Sequence, residues 1–101
     1  MNKMRRRDLY NLIKELRCVN DKHDLYSCIS TLENIKLDEE IYYDNIPENL
    51  QYSTRAYDSE EAINNMDDAL DLLNEAHNED DVDEQNSLIS QAIDKIEDAT
   101  I

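Results

Sequence analysis

Residues 62–76, AINNMDDALDLLNEA, constrain the fold more than any other part of the chain. They write one heptad twice: Ala62, Ala69 and Ala76 lie seven apart, and Ile63, Leu70 and His77 follow them by one. Met66 and Leu73 fill the remaining apolar positions. With Ile63 and Leu70 at a, Met66 and Leu73 fall at d and the alanines at g, the pattern of a helix that lays a narrow seam against a neighbour. Back to back with the seam, Glu61, Asp68, Asp71, Glu75 and Glu79 recur at spacings of three, four and seven. One helix thus carries an apolar stripe and an opposed row of carboxylates.

The flanking sequence predicts more helices of the same kind. Leu9, Leu12, Ile13, Leu16 and Val19 form one stripe, and Leu25, Cys28, Ile29, Leu32 and Ile35 form another. Leu16 and Leu25 are nine residues apart, two and a half turns at about 100° per residue, so one straight helix cannot show both stripes to one neighbour. Either the helix breaks within 20–24 or it changes partner there; Asp21 suits a new cap with Asp24 in the first turn. Pro47 drives Ile46 out of helical geometry, and Asn45 suits a left-handed helix end, so 45–53 reads as a loop. The next helix starts at Ser53 or Asp58. Beyond His77 the heptad would place Asp80, Glu84 and Ser87 at core positions, which predicts a turn within 77–83, with Asp81 as the cap of a last helix and Glu84 at the reciprocal position. The expected fold is all-α, a helical hairpin or three-helix coiled-coil-like bundle with an N-terminal arm. Its helices cover about 4–19 and 24–43, 54–77 and 83–99, in one domain over 1–101.

Bulky core material is scarce, because Phe and Trp are absent and six tyrosines are the only aromatics. A second surface, another copy or a partner, is therefore expected to complete the burial. The absence of glycine removes the phosphate-cradling loops and tight hairpins that depend on it. The 25 acidic and 10 basic residues give −15, unevenly spread. Residues 1–22, a basic helical arm, hold seven bases against three acids, and residues 56–101 hold 15 acids against Lys95 alone. Such a body repels nucleic acid and anionic lipid. With no signal peptide or membrane-spanning run visible and only Cys18 and Cys28, the chain reads as cytoplasmic with reduced thiols.

The segment Tyr43-Asp44-Asn45-Ile46-Pro47-Glu48-Asn49-Leu50-Gln51, with Ser53, Arg55 and then Glu60-Glu61-Ala62-Ile63 behind it, resembles the linker of small acidic helical-hairpin proteins from phages and mobile elements of Gram-positive bacteria. The resemblance covers about 33–76. It implies a helical hairpin of phage-like origin and supplies no catalytic residues.

Catalytic and metal chemistry find little footing. His23 and His77 lack the Glu-x-x-His spacing of a di-metal bundle. In an EF-hand frame starting at Asp81, Asn86 replaces the turn glycine and Ala92 the final glutamate. The cysteines have no zinc spacing. No enzyme activity, metal or cofactor is expected. The acidic row is the strongest candidate, since carboxylates three or four apart on a helix stand about 5–6 Å from one another and can imitate a line of phosphates. The expected partner surface comprises Glu61, Asp67, Asp68, Asp71, Glu75, Glu79, Asp80 and Asp81, with Tyr42, Tyr43, Tyr52 and Tyr57 as an aromatic contact patch at the loop end. The expected partner is a basic nucleic-acid-binding protein. With the phage-like resemblance, an RNA-guided DNA nuclease fits, which makes the chain a DNA mimic of anti-CRISPR type. The alternative is a self-associating scaffold, such as a homodimer, using Ile63, Met66, Leu70 and Leu73 as its seam. A third reading, nucleic-acid contact through Arg5, Arg6 and Arg7, rests on a short basic run alone.

Overall fold

A computed structural model describes residues 1–100. It contains four α-helices: α1 (Lys3–Arg17), α2 (Lys22–Asp44), α3 (Thr54–His77) and α4 (Val82–Ala99). A single 3-10 turn, Glu48–Leu50, interrupts the α2–α3 connection. Each α-helix opens on a side-chain cap, which satisfies a backbone N–H that has no partner within the helix. Asn2 accepts from the Arg5 N–H, Asp21 from Asp24, Ser53 from Ala56 and Asp81 from Glu84. The polar run at 20–24 is therefore a break, and Asp21 and Asp81 cap as their sequence positions predict. Asn45 departs from expectation: its φ is −90°, and no described residue has positive φ. Its N–H reaches the Ile41 and Tyr42 carbonyls, so the helix ends without a left-handed residue.

Successive helices run antiparallel and pack as neighbours, and α1 closes the ring against α4. The N-terminal segment is thus a member of the bundle, with Leu9, Leu12, Ile13 and Leu16 buried. It supplies much of the second surface that the scarcity of bulky residues demanded. Leucines and isoleucines from all four helices fill the centre. Met66, Leu70 and Leu73 are buried inside the single chain, so the seam a scaffold would have used for oligomerisation is already occupied.

The buried face of α3 is rotated from the sequence expectation. Its middle runs through Ser59, Ala62, Met66, Ala69, Leu73 and Ala76, while Ile63 lies half-buried at its edge. The reason lies on α4, where Ala92 and Ala99 are also fully buried. The Gln85 side chain donates to the Ala76 carbonyl at 3.1 Å. Stepping seven residues from that bond along both antiparallel helices brings Ala69 level with Ala92 and Ala62 level with Ala99. Small residues opposite small residues allow the two helices to approach closely, and α3 with α4 is the most extensive packing in the molecule.

The helices are unequal and staggered. α2 and α3, of 23 and 24 residues, run the length of a body 48 Å long and 19 by 17 Å across. α1 and α4 are shorter, at 15 and 18 residues. The Tyr10 hydroxyl lies 3.5 Å from Thr100 Oγ1, just past the end of α4. Residues 3–9 of α1 therefore extend about 10 Å beyond α4, at 1.5 Å per residue. At the other end Leu16 and Arg17 border Ile89 and Ile93. Most of residues 82–90 therefore lies past the end of α1, a projection of about 13 Å.

Candidate partner-binding surface

At about 100° per residue, Glu61, Asp68, Asp71 and Glu75 fall within an 80° sector of α3, opposite the buried column through Met66. All four are exposed. Lys95 of α4 reaches Asp68 at 3.8 Å. Glu61, Asp71 and Glu75 have no cation within 4 Å among the described residues. From Glu61 to Glu75 the ridge spans about 21 Å. Four charges over that length compare with about six phosphates on one DNA strand at 3.4 Å each. The exposed Asp83, Glu84, Asp94, Glu97 and Asp98 of α4 add to the acidity of this half of the molecule.

The other candidate acids have local partners. Asp67 stands on the α2 side of α3 and forms an ion pair with Lys36, which Glu40 also contacts at 3.4 Å. The hydrogen bond that Lys36 donates to Asp67 raises the Lys36 pKa, with charge from Asp67 and Glu40 adding to it. Glu79, Asp80 and Asp81 lie beyond the end of α3 in the turn to α4. Glu79 accepts from the Asp81 N–H at 3.1 Å, Asp81 caps α4, and Asp80 meets Lys22 at 3.2 Å. These three shape the turn as well as carrying charge.

The tyrosines gather at the opposite end. Tyr52 and Tyr57 are exposed, at 88% and 62%. Tyr42 and Tyr43 are half-buried, and the Arg5 guanidinium lies 5.3 Å above the Tyr42 ring. A hollow of about 270 Å³ opens beside them, lined by Tyr42, Ile46, Pro47 and Leu50 with Arg55 at its rim.

One cluster escaped the sequence reading. Glu39 is fully buried in α2. Its Oε2 accepts from the buried Ser59 hydroxyl at 3.1 Å, and Arg5 Nε and the Met1 ammonium lie 3.4 and 3.8 Å from Oε1. Glu39 continues the heptad of Leu25 and Leu32, which is the signal that marks it as inward-facing. It ties the start of α1 to α2 and α3. Arg5 thus has its anion within the chain, whereas Arg6 and Arg7 have none within 4 Å among the described residues.

No group of three or more His, Cys, Asp or Glu among the described residues is placed to hold a metal ion. His23 is exposed, and His77 is half-buried with its ring centroid 6.2 Å from that of Tyr26. Cys18 is exposed and Cys28 buried, both as free thiols. Burial, and then the Glu15 and Asp24 charges, push the Cys28 pKa up to about 11. Iodoacetamide at pH 8 is expected to alkylate Cys18 in the folded protein and to reach Cys28 only in urea; peptide mass mapping reads both sites. The sign for stability follows: burial favours the neutral thiol, so its contribution is complete below about pH 9 and is lost as pH rises to about 11.

No helix is long and apolar enough to cross a membrane among the described residues. No family model, curated protein or solved structure matches the chain.

Proposed function

We propose that this protein acts by binding, as an acidic mimic of nucleic acid that occupies the basic groove of a nucleic-acid-binding protein. The reading rests on one observation. The outer face of α3 holds Glu61, Asp71 and Glu75 on a rigid rod with no cation within 4 Å among the described residues. Ordinary surface helices mix signs and pair them at i,i+4. Here like charges are kept together despite their mutual repulsion, and a cationic groove would relieve it. The linker resemblance to phage and mobile-element proteins directs the proposal to a host defence nuclease of the RNA-guided kind, whose nucleic-acid channels are positive. Asp68 contributes to the same line, and Tyr52 and Tyr57 offer a separate aromatic contact at the loop end. Glu79, Asp80 and Asp81 add long-range attraction, since each is also engaged within its own turn.

The test is the triple substitution Asp68→Asn, Asp71→Asn, Glu75→Gln. Capture of a basic partner from host lysate, measured by quantitative mass spectrometry, is expected to weaken by roughly 100-fold or more. The fold gains slightly from relief of i,i+3 and i,i+4 repulsion, about 0.2–0.5 kcal/mol per pair, so lost capture does not reflect unfolding. Partner capture that persists in molar salt, or inhibition unchanged in the triple variant, overturns the proposal.

A further inference from the structure

We infer that the hollow at the loop end is a binding site for a small apolar carboxylate, whose hydrocarbon part fills the hollow while its carboxylate meets Arg55. The inference uses the α2–α3 connection and stands apart from the α3 ridge.

The connection builds the hollow. Past α2 the chain folds into a compact turn held by its own backbone. The Leu50 N–H donates to the Pro47 carbonyl at 2.8 Å, Gln51 to Glu48 at 3.3 Å and Ser53 to Leu50 at 3.0 Å. A loop whose polar groups are satisfied in this way keeps its shape without a ligand. Ile46, Pro47 and Leu50 line a space of about 270 Å³ together with the Tyr42 ring of α2. The Arg5 guanidinium lies 5.3 Å above that ring and is itself held by Glu39 at 3.4 Å, so the Tyr42 wall is fixed from behind. Pockets for ligands run from about 300 to 1,000 Å³, so a space at the foot of that range takes a small group. Leu50 is 45% exposed, and an apolar occupant removes that surface from water.

Charge selects the polar end of the ligand. Arg55 lines the hollow, is exposed, and has no carboxylate within 4 Å among the described residues. This is a chain in which acids outnumber bases 25 to 10. Arg55 also stands in the first turn of α3, where the helix dipole disfavours a base. That turn holds no acid, whereas α2 begins with Asp24 and α4 with Asp83 and Glu84. The guanidinium and the positive helix end therefore add at the rim of an apolar space. Arginine can give a carboxylate two parallel hydrogen bonds, which fixes orientation as well as charge. Asp44 and Glu48 flank the connection, but neither lines the hollow. The body as a whole attracts cations. A preference for an anion here is thus the mark of Arg55 and separates this site from loose binding to the acidic surface.

Phenylbutyrate is the probe, titrated into the full chain and followed by amide NMR. The amides of Ile46, Leu50, Ser53 and Arg55 are expected to shift and to saturate together. Phenylbutylamine, of the same shape and opposite charge, is expected to bind at least about tenfold more weakly. Arg55→Gln is expected to abolish that preference, and Leu50→Ser to weaken the acid several-fold. Both side chains are exposed, and circular dichroism checks that each variant is folded. An acetylated tripeptide ending in phenylalanine presents the same chemistry from a polypeptide end. Tighter binding than phenylbutyrate assigns the site to a chain terminus, and otherwise it belongs to a free acid. Amides that stay in place at millimolar phenylbutyrate overturn the inference, as does an amine that binds as well as the acid, or a preference that survives Arg55→Gln. Movement of the same amides on raising the protein concentration alone gives the hollow to a second copy and also overturns it.

Discussion

Glu39→Ala is expected to cost about 3–5 kcal/mol, because removing one member of a buried ion pair leaves the other charge without compensation. Glu39 is fully buried, the Arg5 side chain is only 14% exposed, and the Ser59 hydroxyl has no other hydrogen-bond acceptor among the described residues. A domain of this size is stable by roughly 5–15 kcal/mol, so the loss is a large fraction of the whole. Replacing the acid together with its arginine and serine partners, Glu39→Leu with Arg5→Met and Ser59→Ala, is expected to recover most of that loss, since of the buried polar groups only the Met1 ammonium is then left without its anion. Urea unfolding followed by circular dichroism distinguishes the two outcomes. A Glu39→Ala midpoint equal to that of the wild type would mean that the cluster contributes nothing.

Leu73→Ala is the second large effect. Leu73 is fully buried, and its neighbours along the buried column, Ala69 and Ala76, are too small to move into the space it leaves. Leucine-to-alanine changes in cores cost about 2–5 kcal/mol, and the cost rises with the cavity that remains. Poor collapse places this one in the upper half of that range. The opposite change nearby fails for the opposite reason: Ala69→Leu puts a branched side chain where Ala92 lies level with it, an overpacking that costs about 1–3 kcal/mol. Urea unfolding measures both. A Leu73→Ala loss under about 1 kcal/mol would show that the α3–α4 contact is not tightly filled.

Local chemistry explains what was legible in the sequence. Asp21 and Asp81 announce their helices because a cap depends on residues three positions away, whereas Ser53 and Asp58 both suited the start of α3, which Ser53 caps. The ridge of Glu61, Asp68, Asp71 and Glu75 was legible because it follows from helical period alone. The rotation of α3 was not, because a hydrophobic ranking sets Ile63 above Ala62. Only the alanines of α4, opposite in space, make Ala62, Ala69 and Ala76 the centre of the contact. Glu39 was missed for a related reason: a search for apolar stripes passes over a carboxylate at a stripe position, and its partners come from residues 1, 5 and 59. The stagger of α1 against α4 depends on register between the two ends of the chain, which no local pattern encodes. Among the candidate acids, Glu61, Asp71 and Glu75 are exposed with no cation within 4 Å among the described residues, whereas Asp67 serves a lysine, Glu79 a turn and Asp81 a cap.

The order of the helices around the bundle has a kinetic consequence. Every helix lies beside the one that precedes it, and the closure of α1 on α4 joins the two ends of the bundle. Bundles dominated by such near-neighbour contacts fold in microseconds to milliseconds, because little loop entropy is lost before contacts form. The alanine-lined hairpin of α3 and α4, the most extensive packing in the molecule, is expected to assemble first and α1 to dock last.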